Sequence, residues 1–109
     1  MPSYTAPVKD IQFLLHDVLK ISEADIPGYS DLDRSFTEAV FDEAAKVAQD
    51  ILTPLNSVGD REGCSLENGV VRTPTGFKAA FETLREGGWM SLDAAPEYGG
   101  QGLPYLMHT

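Results

Sequence analysis

Leu32-Asp33-Arg34-Ser35-Phe36-Thr37-Glu38-Ala39-Val40-Phe41-Asp42-Glu43-Ala44-Ala45-Lys46-Val47-Ala48-Gln49-Asp50-Ile51-Leu52-Thr53-Pro54-Leu55 is the stretch that sets the fold class. Leu32, Phe36, Val40, Ala44, Val47, Ile51 and Leu55 recur every three or four residues, the spacing that lines up one helix face. Ala39, Ala48 and Leu52 widen that stripe. Ser35-Phe36-Thr37-Glu38 matches a capping box, with Asp33 as the alternative cap. Asp42 and Lys46 stand four apart on the polar face and add a little support. Phe41 and Ala45 lie off the main stripe, so the helix is expected between neighbours. Pro54 removes a backbone donor and is expected to kink or stop it.

Working outward, Val8, Ile11, Leu14, Leu15, Val18 and Leu19 predict a helix over about 8–20. Asp10 in its first turn and Lys20 in its last suit the helix dipole. Residues 1–7 read as an extended arm. Ile21 to Ile26 add one turn capped by Ser22, which Pro27-Gly28 ends. Residues 56–73 read as irregular, with room for one short hairpin turning at Asn68-Gly69. Thr73-Pro74 reads as a cap followed by proline at the first helical position. Phe77, Ala80, Phe81 and Leu84 then form one apolar face, and Gly87-Gly88 closes that helix. Trp89 and Met90 are expected to pack against it. Neither a repeat nor a low-complexity segment interrupts the pattern.

Pro96-Glu97-Tyr98-Gly99-Gly100-Gln101-Gly102-Leu103-Pro104 has the chemistry of a tight loop feeding a helix. Only five residues follow, too few for a helix to support itself. The chain therefore reads as a piece of something longer. Such a piece exposes a face it once packed, and self-association is expected to cover it.

At 109 residues the chain makes one domain at most. Its 42% apolar and 23% charged residues are ordinary for a folded protein and unlike a disordered one. The net charge of −9 disfavours nucleic acid, which needs a basic surface. Residues 31–60 are the most acidic stretch, read as a solvated helix face, with a docking surface for a basic partner as the alternative. Cys64 is the lone cysteine, which excludes an internal disulfide and fits a reducing compartment. The start Met1-Pro2-Ser3-Tyr4 has no secretory pattern. No window approaches the roughly 18 apolar residues of a membrane span. Cytoplasm is the expected compartment.

The residues that carry chemistry elsewhere are isolated here. His16 and His108 have no second ligand at metal spacing. Cys64 lacks a neighbouring histidine or helix start to lower its pKa. Asp31-x-Asp33-x-Ser35 begins like a calcium loop, but Phe36 occupies the place that needs glycine. Asp60-Arg61-Glu62 reads as a local ion pair. Gly100-Gln101-Gly102 opens like a dinucleotide fingerprint, yet Tyr105 stands where the third glycine belongs. No nucleophile-base arrangement stands out. Catalytic, cofactor-binding and metal positions are all assigned none.

Four tracts, in order, carry a resemblance. They are Tyr4-Thr5-Ala6-Pro7 with Asp10 to Leu19; Ile51-Leu52-Thr53-Pro54-Leu55-Asn56 with Gly59-Asp60-Arg61-Glu62-Gly63; Pro74-Thr75-Gly76-Phe77-Lys78 with Gly88-Trp89; and Pro96 to Pro104. Together they resemble the acyl-CoA dehydrogenase family, in the branch with an extra N-terminal segment. The last matches the family's Pro-Glu-x-x-Gly-Gly-x-Gly loop. The resemblance implies a parent with a helical N-terminal domain, a middle β domain and a C-terminal helical domain, holding FAD between them. It implies α,β-desaturation of an acyl-CoA, with a glutamate base taking the α-proton and flavin accepting the β-hydride. It places that glutamate and the main flavin contacts after Thr109.

The expected fold is all-α: about three main helices, the start of a fourth, and at most one short hairpin. Residues 1–30 are expected to be an N-terminal extension with one helix, and 31–109 the start of the helical domain. The parent is expected to be a homo-oligomer that takes an acyl-CoA and an electron acceptor, and this chain alone to be inactive scaffolding. The rival is a standalone acidic helical interaction module, which expects a monomer without bare apolar surface.

Overall fold

The computed structural model describes residues 3–108; Met1, Pro2 and Thr109 lie outside them. The described chain is mainly helical, with a first helix at residues 8–18, a long helix at 34–62 and a third helix, Phe77–Glu86. Short 3₁₀ turns at Ile21–Glu23, Tyr29–Asp31, Trp89–Ser91, Pro96–Tyr98 and Tyr105–Met107 connect and extend them. The expected start of a fourth helix is the last of these turns.

The first helix is α-helical over Val8–Gln12 and π-helical over Phe13–Val18. The long helix alternates likewise, with Arg34–Lys46 α-helical, Val47–Leu52 π-helical and Thr53–Glu62 α-helical. Asp33 is its cap, accepting the Phe36 amide at 2.8 Å. Pro54 does not stop this helix. The wide turn before it already bonds five residues back, and the Thr53 hydroxyl donates to the Ala48 carbonyl at 2.8 Å. Proline then sits in the first turn of a new α-helical stretch, where its missing N–H is not needed. Residues 56–62 are therefore helical, not irregular, and the chain leaves the helix at Gly63.

The hairpin forms as expected. β1 (Ser65–Glu67) pairs antiparallel with β2 (Val70–Arg72), Leu66 opposite Val71. Asn68 and Gly69 both take positive φ, as a two-residue turn of this kind requires. Two other boundaries differ from expectation. Ser22 lies inside its 3₁₀ turn and caps nothing. The third helix starts after Gly76, since Pro74 accepts the Phe77 amide through its carbonyl and does not open the helix. Gly87 and Gly88 close that helix as read.

The core joins both ends of the chain. Leu15, Ile21, Leu32 and Met107 are buried together, with Ile11, Tyr29, Val40, Phe41, Leu103 and Leu106 packed around them. Phe41, off the main stripe, is thus a core contact. The molecule is thin: its extents are 54 × 36 × 17 Å and its radius of gyration is 17.1 Å, against about 13 Å for a compact domain near this size. A plate so thin leaves Phe13, Leu14, Val18, Leu66, Val71 and Phe81 exposed. No helix among the described residues is long and apolar enough to cross a membrane.

Candidate functional site

The glycine tract folds as a closed loop. Six successive amides are used inside it: Tyr98 to the Ala95 carbonyl, Gly99 to Pro96, Gly100 to Ala95, Gln101 to Ser91, Gly102 to Ala94 and Leu103 to Leu92, at 2.9–3.1 Å. Gly100 is glycine because of contact. A Cβ there would run into the Ala94 carbonyl oxygen. The loop is thus knotted against residues 91–96, and none of those amides is left to meet a phosphate.

Beside the loop runs a groove of about 520 Å³, between the long helix at Phe36, Ala39, Val40 and Glu43 and the wall formed by Trp89, Leu92, Gln101 and Leu103. Its lining is mainly apolar. Glu43 is engaged with Lys46 at 2.7 Å, which holds the lysine charged by raising its pKa. The groove presents no nucleophile paired with a base.

The isolated residues of the sequence find ordinary partners. Asp33 caps the long helix, and the Phe36 amide and then the Ser35 hydroxyl hold its carboxyl below the usual range. Asp31 does not join it at a metal: no group of metal-ligating side chains occurs among the described residues. Glu62 accepts the Thr75 amide at 2.8 Å, which lowers its pKa; it ties the helix end to the next loop. His108 Nδ1 lies 3.0 Å from Asp93, beside the edge of the Tyr105 ring. Cys64 is exposed after Gly63.

One cluster escaped the sequence reading. Thr37, with no exposed surface, sits between Gln12 and His16 of the first helix. Its Oγ1 lies 2.8 Å from Gln12 Oε1 and 2.7 Å from His16 Nε2. Gln12 Nε2 donates to the Arg34 carbonyl at 3.2 Å. The available signal was the pair of polar residues four apart beside Leu15, facing a helix whose stripe is otherwise apolar.

No protein-family model matches the chain. Comparison with curated proteins nonetheless finds a similarity that runs over nearly the whole length of the chain. The relative is the 3-methylmercaptopropionyl-CoA dehydrogenase of Ruegeria pomeroyi, 35% identical over 106 residues. The match covers 96% of this chain and 18% of that protein, so the chain spans under a fifth of the relative's length. The helical fold agrees with the expectation drawn from the motifs. The glycine loop offers no cradle for the pyrophosphate of FAD. The loop amides that a pyrophosphate would need are spent on Ser91, Leu92, Ala94, Ala95 and Pro96.

Proposed function

We propose that this chain is a helical part of an FAD-dependent acyl-CoA dehydrogenase, and that its own role is scaffolding and subunit contact. Residues 1–30 serve as the N-terminal extension and 31–109 begin the helical domain. The parent's reaction is the α,β-desaturation of an acyl-CoA thioester, with the glutamate base, the flavin site and the electron-acceptor contacts outside this chain. The single observation that carries the reading is the 35% identity sustained across 96% of the chain. The bare apolar side chains support it, because a wall of a larger enzyme needs such surface and a self-sufficient interaction module does not. Cytoplasmic location and homo-oligomerisation belong to the same proposal.

The test is to purify the full-length gene product that contains this sequence. The expected result is bound flavin that bleaches on anaerobic addition of an acyl-CoA, with the isolated 109-residue chain binding neither. A full-length product with no flavin and no acyl-CoA response would reject the reading.

A further inference from the structure

The first helix has two apolar faces, and hydrophobic burial alone does not choose between them. Ile11 and Leu15 lie on the seated face; Phe13, Leu14 and Val18 lie on the outer one. Phe13 is 55% and Leu14 51% exposed, while Leu15 is 7% and the Gln12 amide 6% exposed. Seating Gln12 and His16 in place of Leu14 and Val18 runs against the preference for burying apolar surface. A turn of the helix by one residue step would exchange Leu15 for Leu14.

The hydrogen-bond chain opposes that turn, and proton count fixes its direction. Gln12 Nε2 donates to the Arg34 carbonyl, so Gln12 Oε1 is the acceptor that faces Thr37. A hydroxyl has one proton, so Thr37 Oγ1, having donated to Gln12, accepts from His16 Nε2. The Asp33 and Arg34 carbonyls, each 3.2 Å from Thr37 Oγ1, are the poorer acceptors. Among the described residues no buried side-chain polar atom lacks a partner, and rotation of the first helix would break this cluster at both of its contacts.

We infer that the Thr37 hydroxyl is a register pin: by bonding Gln12 and His16 it selects one seating of the first helix and turns Phe13, Leu14 and Val18 outward. The pin stands on this geometry whatever reaction the parent performs.

Hydroxyl-radical footprinting of the 109-residue chain tests it residue by residue. In the unaltered chain Phe13 and Leu14 are labelled and Leu15 is protected. Thr37→Val is expected to abolish the contrast between Leu14 and Leu15, and Thr37→Ser, which keeps the hydroxyl, to preserve it. Should Thr37→Val fail to fold, the double variant Gln12→Ala/Thr37→Val removes the buried amide without adding a large apolar side chain to the seated face, leaves only the half-buried His16 Nε2 without its bond, and is expected to fold with the contrast lost. Retention of the contrast in either hydroxyl-free variant, or its equal loss in Thr37→Ser, would overturn the inference.

Discussion

The two halves of the long helix are packed by opposite means. Toward its N-terminal end it meets the first helix through buried polar atoms, Thr37 against Gln12 and His16, backed by Leu15 and Leu32. Toward its C-terminal end it meets the third helix through missing atoms. A Cβ on Gly59 would lie 2.7 Å from the tip of the Phe77 ring, and one on Gly76 would lie 2.8 Å from Leu55 Cδ2. The first contact is specified by hydrogen-bond direction and fails when one atom is lost. The second is specified by space, and fails in proportion to the volume added.

The largest expected effect breaks the apolar base of the first contact. Leu15→Ala should cost about 2–5 kcal/mol, the range for a buried leucine truncated to alanine. It should lower the denaturant midpoint and speed amide exchange near Met107, which shares the Leu15 cluster, more than at the hairpin.

Thr37→Val tests the polar part. Leaving Gln12 Oε1 and His16 Nε2 without their partner should cost about 1–3 kcal/mol, and Thr37→Ser less. Equal midpoints for Thr37→Val and the unaltered chain would place that contact in the same class as the other.

The glycine contact is sharpened by a pair of substitutions with different balances. Gly76 has φ +88°, so Gly76→Ala adds a left-handed penalty of about 1–2 kcal/mol to its clash with Leu55. Gly59 lies in the helix, where alanine gains about 1 kcal/mol in propensity, and its clash is with a ring tip that can swing. Gly59→Ala should therefore be the milder of the two by thermal or denaturant unfolding.

The smallest effect is electrostatic and acts at both ends of the long helix. Asp33 and Glu62 have carboxyls held below their ordinary values, by the Phe36 and Thr75 amides respectively. A depressed folded pKa gives stability that is present above the ordinary carboxylate range and lost as pH falls through the lowered value. Stability should fall on acidification, and the pair Asp33→Asn with Glu62→Gln should flatten that acid limb.

Much of this architecture is legible in sequence because it is local. The stripe from Leu32 to Leu55, the Asn68-Gly69 turn and the Gly87-Gly88 stop each follow from short-range rules, and each appears. Pro54 misled because a π-helical turn upstream absorbs the missing donor, a feature no propensity announces. Thr73-Pro74 misled because Gly76, two residues on, supplies the left-handed start. The stripe of the first helix was split by a tertiary choice: Leu14 and Val18 fit helical spacing as well as Leu15 does, and Thr37, far along the chain, bonds the face that carries Leu15. Of the residues read as isolated, His108 meets Asp93 at 3.0 Å, a pairing that local spacing does not announce.

The measurement that bears most directly on the account is the size of the native polypeptide in its source cells, probed with an antibody to this chain, together with flavin fluorescence across the same fractions. The account predicts a species several times larger than 11.9 kDa with flavin travelling alongside it. A native species at 11.9 kDa, with flavin elsewhere, would contradict it.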